Sequence, residues 1–366
     1  MNANQEKISR NQLFFVIVQT QIGVGVLSLP YDLHMEAKQD GWISLLIAGI
    51  IIQILIILFW LLSSRFPTSN YFEIIQRVLG KFLGKGLVFI YCIYFLGVIL
   101  LILLLYAKII NAWLLPRTPL WITSLLMLSV SVYLAKDQLR IIARVYTFVS
   151  LLLGLLIAFL LFAIQDSQLM YIFPVGDASL QELGGGVIKA SISLLGYFII
   201  LVAYPYTEGT APQRLKTISY ANLFVVLFYA FTVIVSYTYF GTKEIEYITE
   251  PVLYLLKAFE MSFITRIDMF FLSIWIVSVA TSVTTYLYIA GLGLANIFNQ
   301  PSHEHFTIIV GVVMFFITTG LGVKYTTIQS VNSILSNAGL VASVGVPLII
   351  LFLSFLLNKK DRQESG

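Results

Sequence analysis

The sequence predicts an all-α polytopic membrane protein that crosses the bilayer ten times. Of its 366 residues, 59% are hydrophobic and 11% are charged, whereas about a quarter of the residues in a soluble domain are charged. Apolar runs of the length that a bilayer core of about 30 Å requires recur along the whole chain. We place the spans at 12–35, 42–63, 87–110, 119–134, 145–164, 187–207, 218–240, 267–297, 306–323 and 333–357. Residues 1–366 therefore form a single transmembrane domain in this interpretation.

The distribution of basic residues predicts that both termini are cytoplasmic. An even number of spans puts the two ends on one side, and that side collects 14 of the 22 lysines and arginines, as the positive-inside rule describes. These are Lys7, Arg10, Arg65, Arg77, Lys81, Lys85, Lys136, Arg140, Arg144, Arg214, Lys216, Lys359, Lys360 and Arg362. The opposite side is acidic, with Asp32, Glu36, Asp40, Asp166, Asp177, Glu182, Glu244, Glu246, Glu250 and Glu260. This bias accounts for the net charge of +4 without a nucleic-acid partner.

Two short amphipathic helices are predicted between the spans. Asn70 and Glu73 form a helix-capping pair before apolar residues at helical spacing, which indicates a helix along the cytoplasmic interface. Pro251 is well placed to start a helix over VLYLLKAFEM, a segment too short and too charged to cross. We expect this second helix to cap the external face. The single cysteine, Cys92, lies among apolar residues and is expected to be buried.

The first span is interrupted by small residues. The stretch QTQIGVGVLSLP, residues 19–30, carries Gly23 and Gly25 about halfway through the span. A broken helix is tolerated in hydrocarbon only where its backbone is buried in protein or lines a wet cavity. The half-helix ends would then suit a carboxylate, an amine or a cation. The alternative is that Gly23, Gly25 and Ser28 are small residues that allow close helix packing.

The sixth span supplies a second interruption. The stretch SISLLGYFIILVAYPY places Gly196 near the middle of the apolar run, followed by Tyr197, with Pro205 near the cytoplasmic end. Interruptions in spans one and six of ten are what two five-helix repeats of opposite topology would give. We place these repeats at about 10–164 and 185–358, followed by a short cytoplasmic tail, 359–366.

No catalytic constellation is found in the sequence. His303, Glu304 and His305 form the one histidine cluster, but they lie in a short polar loop without a further acidic or cysteine ligand nearby. The stretch GKFLGKG has the wrong order for a phosphate-binding loop, and Gly291 and Gly293 lack the strand of a dinucleotide fingerprint. We therefore expect no enzymatic activity, no cofactor and no metal site.

Several of these motifs together resemble a known family. Five features carry the resemblance: the run Ile-Gly-x-Gly-x-Leu-x-Leu-Pro at 22–30, the Gly-Tyr pair at 196–197, the Tyr-Pro pair at 204–205, the ten-helix length and the basic tail. In these features the chain resembles the B subunits of GerA-type spore germinant receptors. That family is a branch of the amino acid–polyamine–organocation transporter superfamily. The resemblance implies a LeuT-like five-plus-five inverted-repeat fold, with helices one and six unwound around a central pocket.

The resemblance also implies a function and partners. A subunit of this kind binds a small germinant such as an amino acid, and germinant-receptor A and C subunits complete a hetero-oligomer that triggers germination. Apart from membrane lipid, these are the partners we expect. The location would be the inner membrane of the bacterial spore.

Matching positions nominate the ligand-binding residues. Helix one would contribute its unwound segment, helix six its Gly-Tyr pair, and helix three one tyrosine and one glycine on the same face. For the helix-three residues, ordinary aromatic packing is the alternative. The nominated residues are Thr20, Gly23, Val24, Gly25, Tyr94, Gly97, Gly196 and Tyr197.

Span eight carries four hydroxyl groups on one helix face. Ser278, Thr281, Ser282 and Thr285 stand at i, i+3, i+4 and i+7. In related transporters this helix faces the first, and a hydroxyl pair completes a sodium site beside the break, so these residues are nominated for an ion or ligand. Alternatively, the hydroxyls bond their own helix carbonyls and pack as small residues.

A secondary active transporter of amino acids is the alternative function. Proton-coupled pumps usually place an ionisable residue inside the membrane, but Lys108, Lys189, Arg266 and Asp268 lie near predicted span ends, where snorkelling suffices. Span five has no lysine in its interior, unlike proton-coupled relatives. Sodium coupling and uncoupled transport both stay open. The apolar, tyrosine and hydroxyl side chains of the pocket fit a small neutral amino acid better than a sugar phosphate, and a sugar or a nucleoside stays open as an alternative ligand.

Overall fold

The computed structural model describes residues 7–258 and 266–361, which form sixteen α-helices joined by short turns. The helices are α1 (Arg10–Gln21), α2 (Gly25–Ala37), α3 (Gly41–Arg65), α4 (Tyr71–Leu79), α5 (Lys81–Trp113), α6 (Leu120–Ala135), α7 (Leu139–Val149), α8 (Leu151–Phe162), α9 (Leu180–Ser193), α10 (Ile199–Ala203), α11 (Ala211–Glu244), α12 (Pro251–Ala258), α13 (Ile267–Ile297), α14 (Glu304–Leu321), α15 (Tyr325–Leu340) and α16 (Val346–Leu356). A one-residue bridge between Ile8 and Thr207 is the sole β-type pairing in those ranges.

Seven helical segments within the described ranges are long and apolar enough to cross a bilayer, which makes the chain a polytopic membrane protein. They are Gly25–Arg65, Lys81–Trp113, Leu139–Asp166, Ala211–Tyr247, Ile267–Ile297, Glu304–Leu321 and Tyr325–Leu356. These segments contain predicted spans two, three, five, seven, eight, nine and ten. The fourth predicted span is α6, which has 16 residues. The first and sixth are each divided into two shorter helices, so the count of ten spans stays a prediction.

Both short amphipathic helices begin where the sequence predicts. The Asn70 side chain accepts hydrogen bonds from the backbone N–H groups of Phe72 and Glu73, at 3.1 and 3.2 Å, and Glu73 accepts in return from the Asn70 N–H at 3.0 Å. This capping box starts α4 and confirms the predicted pair. Helix α12 starts at Pro251, while the last three residues of VLYLLKAFEM lie outside the described residues.

The longest helices surround the interrupted first span. Helix α13 packs along α5, α1 packs against α11 and α7, and α9 packs against both α2 and α3. Cys92 is buried on α5, as expected, and its sulfur lies 3.8 Å from the Ala290 carbonyl of α13. The interrupted helices therefore lie inside the bundle, where neighbouring side chains can satisfy their backbone.

The C-terminal end of the described chain is tied to the short helix α4. Asp361 pairs with Arg77 and accepts a hydrogen bond from the Thr68 hydroxyl at 2.7 Å. The Lys359 ammonium donates to the carbonyls of Arg77 and Val78, at 2.9 and 3.2 Å. Because these carbonyls end α4, the helix dipole favours a cation there. The last span is thereby fastened to a helix of the first half of the chain.

Candidate functional site

The first interruption is a three-residue break between α1 and α2. Ile22 is extended, with φ −88° and ψ 99°, so α1 ends at Gln21, and the Ile22 N–H donates the last helical hydrogen bond, to the Val18 carbonyl at 2.9 Å. The Gln21 carbonyl accepts a hydrogen bond from the Tyr229 hydroxyl at 3.1 Å, and the Gly23 carbonyl accepts from the Trp275 indole N–H at 3.3 Å. A carbonyl without a partner in hydrocarbon costs several kcal/mol, so these two aromatic donors stabilise the break.

The second interruption lies between α9 and α10 and touches the first. Gly196 has φ +131°, a backbone conformation that a residue with a side chain rarely adopts. A Cβ atom there would lie 2.8 Å from the Thr20 carbonyl oxygen and 3.1 Å from the Gln21 Cα. The Gln21 side-chain amide donates to the Leu194 carbonyl at 3.0 Å. The two breaks are therefore in direct backbone contact.

The hydroxyl face of α13 lies against the end of α1. Thr285 and Thr20 share a hydrogen bond at 3.0 Å between their hydroxyl oxygens. Thr281 donates to the Gln19 carbonyl at 3.2 Å, and Ser282 approaches the Thr20 carbonyl at 3.4 Å. The hydroxyls also lie near carbonyls of their own helix, as Thr281 does at 2.8 Å from the Ser278 carbonyl. The alternative reading of this face, own-helix bonding, is therefore seen together with contact with the first span, and the role in binding an ion or a ligand stays a prediction.

A cavity of about 500 Å³ lies beside the first break and extends along α2. Gly25, Ser28, Asp32 and Glu36 all line it, and their spacing puts them on one helix face over a length of about 16 Å. We call it the central cavity. Its other polar lining residues are Thr20, Gln21, Tyr31, Tyr94, Lys108, Lys189, Ser193, Thr249, Glu250, Ser282, Tyr286, Tyr325, Gln329, Asn332 and Ser336.

The central cavity takes in half of the nominated residues. Those that line it are Thr20, Gly23, Val24, Gly25, Tyr94 and Ser282. Those that lie outside its lining are Gly97, Gly196, Tyr197, Ser278, Thr281 and Thr285. Their proposed role in binding a ligand or an ion stays a prediction in both groups.

Packing explains why some nominated residues do not border the cavity. A Cβ at Gly97 would lie 2.6 Å from Leu335 Cδ2, so this glycine makes room for α15. The ring of Tyr197 is buried, with its centroid 5.7 Å from that of Phe59. The Gly-Tyr pair thus builds the second break, and its aromatic ring packs into the core.

Charged side chains gather at the end of the cavity away from the break. Lys108 and Glu250 form an ion pair at 2.9 Å, and Lys189 lies 3.7 Å from Glu36. Asp32 lines the same end. Sequence reasoning assigned the two lysines to snorkelling near span ends and did not link them to the cavity. The lining therefore carries three carboxyl groups and two amino groups, all at its outer end.

Helix α15 contributes a polar stripe that sequence reasoning also missed. Tyr325, Gln329, Asn332 and Ser336 line the cavity and stand at i, i+4, i+7 and i+11. This is the spacing of one helix face. Three of these residues lie between predicted spans nine and ten, 306–323 and 333–357, and their helical period was a usable sign of a wet wall. Tyr286 on α13 was missed as well, because it lies among other buried residues of that helix.

The histidine cluster lies apart from the central cavity and has a packing role. The His303 imidazole N–H faces the carbonyls of Ala135 and Asp137, both at 3.2 Å, and its ring meets Tyr288 edge-on at 4.8 Å. Burial lowers the pKa of His303 below its ordinary value of 6.5. Within residues 7–258 and 266–361, no three histidine, cysteine or acidic side chains converge as a metal ion would need.

Comparison with known proteins identifies relatives along the whole chain. The family model described as "Spore germination protein" matches residues 7–321. Spore germination protein B2 of Bacillus subtilis (strain 168) is 25% identical over 369 residues, which cover 100% of both chains. Spore germination protein A2 of the same organism is 28% identical over 319 residues, covering 85% of this chain and 86% of that one. Spore germination protein GerQB of Bacillus cereus is 25% identical over 290 residues, 79% of each chain.

The matched region contains both interruptions and most of the cavity wall, from α1 to the end of α14. The resemblance to B subunits of germinant receptors is thereby confirmed at the level of the family. With its seven long apolar helices and a family match over most of its length, the chain belongs to the spore germination protein family.

Proposed function

We propose that the chain is the membrane subunit of a spore germinant receptor that binds a small nutrient germinant in the central cavity and signals to partner subunits. The observation that carries the proposal is the cavity of about 500 Å³ beside two interrupted helices. Ligand pockets typically measure about 300–1,000 Å³, and helix interruptions inside a membrane bundle characteristically form substrate sites.

A neutral amino acid is the proposed ligand. Near the break, the polar lining consists of neutral groups from Thr20, Gln21, Ser193, Ser282 and Tyr286. The end of α1 carries a partial negative charge and the start of α2 a partial positive charge. In an amino acid the ammonium and carboxylate groups are attached to the same carbon atom, so their short separation suits a break of three residues. A neutral side chain avoids leaving an unpaired charge in this part of the cavity.

The proposed architecture is the five-plus-five inverted repeat, with repeats at about 10–164 and 185–358. The breaks after Gln21 and Ser193 support it, because they fall in the first helix of each proposed repeat. The proposal places both termini in the cytoplasm, the chain in the inner membrane of the spore, and germinant-receptor A and C subunits beside it. Its mechanism is a shift between two states of the bundle, caused by a ligand that binds one state more tightly.

A secondary active transporter of amino acids is the second candidate. The hydroxyls of Thr281 and Ser282 lie 3.2 and 3.4 Å from the carbonyls of Gln19 and Thr20, respectively, and oxygen atoms grouped in this way suit a hard cation. Sodium bound there would drive accumulation of substrate. The same contacts also serve simply to hold α13 on α1, so transport needs a direct test.

The test uses the purified full-length chain in sealed vesicles and radiolabelled glycine, alanine, valine and leucine. Retention of about one amino acid per protein, without build-up in the lumen, is the result expected of a receptor. Accumulation far above that level, dependent on an imposed sodium gradient, would establish transport and refute the receptor proposal. Absence of any retained label would refute the amino-acid assignment.

Two glycine variants link retention to the cavity. A Cβ at Gly25 would lie 3.1 Å from the Cβ and Oγ of Ser193, so Gly25→Leu fills the space next to the break and should abolish retention. The matched control is Gly154→Leu on α8, where a Cβ meets nothing within 4 Å. In spores, the Gly25 variant should lose the germination response at normal protein levels. A normal response would show that the ligand binds elsewhere.

A further inference from the structure

The side chain of Gln21 is buried, but one of its two polar atoms has no hydrogen-bond partner among the described residues. Gln21 is the last residue of α1, is 2% exposed and lines the central cavity. Its amide nitrogen donates to the Leu194 carbonyl at 3.0 Å. Its amide oxygen, Oε1, is buried without a hydrogen-bond partner among the described residues. A buried acceptor left without a donor is unfavourable, so a feature of this kind calls for an explanation.

The orientation of this amide is fixed by its neighbour. A backbone carbonyl such as that of Leu194 can only accept a hydrogen bond, so the NH₂ group of Gln21 must face it. The oxygen is then at the other end of the amide. Rotating the amide by 180° would put two oxygens together, lose the bond to Leu194 and leave the amide without that partner.

Two other glutamines in the membrane helices have neighbours within hydrogen-bond distance of both amide atoms. Gln19, two residues earlier, donates to the Ser150 hydroxyl at 3.0 Å, and its amide oxygen lies 3.0 Å from the Thr281 hydroxyl, which also lies near the Gln19 and Ser278 carbonyls. Gln53 on α3 donates to Ser219 at 2.8 Å and accepts from Asn222 at 3.1 Å. Neither lines the central cavity. Among the described residues, the side-chain amide oxygens of Asn111 and Asn222 are also buried without a partner, but only Gln21 of the three lines the central cavity.

We propose that Oε1 of Gln21 accepts a hydrogen bond from the ammonium group of the ligand, and that this contact selects ligands with a primary amine. The inference rests on the proposed function, because it names the ligand group that occupies the proposed site. An amide oxygen requires a donor. A cationic donor is favoured because Gln21 ends α1, where the helix dipole favours positive charge.

The contact would also connect the ligand with both interruptions. The Gln21 amide joins α1 to the Leu194 carbonyl of the second break, and the Gln21 carbonyl holds the Tyr229 hydroxyl of α11. A ligand on Oε1 therefore acts on a residue that bonds α11 through its backbone and the second break through its side chain. Through these contacts, binding of the ligand's ammonium group can change the position of the two breaks relative to each other.

The test measures binding to the full-length chain in lipid nanodiscs. Radiolabelled glycine, alanine, valine and leucine are compared with their counterparts without the amine, namely acetate, propionate, 3-methylbutanoate and 4-methylpentanoate, used as competitors. The decisive quantity is the ratio of the two affinities. For the wild-type chain we expect the amine to improve binding at least tenfold, because a hydrogen bond to a charged group has that worth.

Gln21→Leu should weaken binding of the amino acid ten- to a hundredfold and leave the affinity of its deaminated counterpart unchanged. Gln53→Leu is the matched control, since it removes a paired glutamine from another membrane helix and should preserve the ratio. Gln21→Glu keeps an acceptor oxygen at the site, and its protonated carboxyl group can donate to the Leu194 carbonyl in place of the amide NH₂, so it should preserve the preference for the amine. This variant decides the question if Gln21→Leu fails to fold.

The outcomes separate the two proposals. If the wild-type chain binds an amino acid and Gln21→Leu keeps the wild-type ratio, the role of Gln21 is refuted and the receptor proposal stands. The same conclusion follows if Gln21→Glu loses the preference for the amine. If the wild-type chain binds none of the four amino acids, the amino-acid receptor and the ammonium contact are refuted together.

Discussion

Replacing Gly196 by alanine should destabilise the contact between the two interrupted helices. Its φ of +131° lies in a region that costs a residue with a side chain about 1–3 kcal/mol. The added Cβ would lie 2.8 Å from the Thr20 carbonyl oxygen and 3.1 Å from the Gln21 Cα. Both atoms belong to the backbone, so the clash cannot be relieved by rotating a side chain, and overpacking of this kind costs about 1–3 kcal/mol more.

The total expected loss for Gly196→Ala is about 2–6 kcal/mol. The assay is thermal unfolding of the purified chain in detergent, followed by tryptophan fluorescence, together with amino-acid retention in vesicles. We expect the unfolding midpoint to fall by several degrees. Retention should be lost as well, because relief of the clash moves Thr20 and Gln21 out of the cavity wall.

Gly154→Ala on α8 is the control for this experiment. A Cβ at Gly154 meets nothing within 4 Å, and alanine is favoured over glycine in a helix by about 1 kcal/mol. This variant should be as stable as the wild-type chain or slightly more stable. If Gly196→Ala unfolds at the same temperature as Gly154→Ala and retains amino acids normally, the contact between the breaks does not have the role assigned to it.

Three further predictions concern regions outside the breaks. Asp361→Ala should lower the stability by about 1–2 kcal/mol in thermal unfolding, because it removes an ion pair with the half-exposed Arg77 and a hydrogen bond, whereas Lys360→Ala should have no effect. Equal stability of the two variants would refute the role of the C-terminal contact. A double-mutant cycle on Lys108 and Glu250 should give a coupling of about 1 kcal/mol, and a coupling of zero would show that the ion pair does not form in solution. Burial keeps the pKa of His303 below 6.5, so the unfolded chain binds a proton at a higher pH than the folded chain, and stability falls as the pH drops below about 6.5. His303→Gln should therefore lose less stability than the wild-type chain between pH 7 and pH 5. An equal loss in the two proteins would contradict this.

Local sequence patterns were enough to predict the helices and the breaks. Gly23, Gly25 and Gly196 interrupt apolar runs, and the structure has breaks at 22–24 and 194–198. Asn70 and Pro251 start the two short helices, as their capping and first-turn preferences indicate. These features depend on a few neighbouring residues, which is why a single sequence contains them.

The composition of the cavity depended on contacts that are distant along the chain. Lys108 and Glu250 are 142 positions apart, and nothing in the vicinity of either residue indicates the other. The Gly-Tyr pair at 196–197 marks the second break correctly, but the direction in which an unwound segment turns is set by its neighbours. The ring of Tyr197 consequently packs beside Phe59 and not in the cavity.

The size of the ligand limits how a receptor of this kind can work. Moving a two-state equilibrium from 1:99 to 99:1 requires about 5.5 kcal/mol of difference in binding free energy between the states. That is the whole binding free energy of a ligand with a Kd of about 0.1 mM. An amino acid of about five to nine heavy atoms, by a ceiling of about 1.5 kcal/mol per atom, can supply at most about 7.5–13.5 kcal/mol. A full shift therefore uses a large share of the binding free energy that such a ligand can supply, and a contact such as that of its ammonium with Gln21 contributes to signalling only if the other state lacks it.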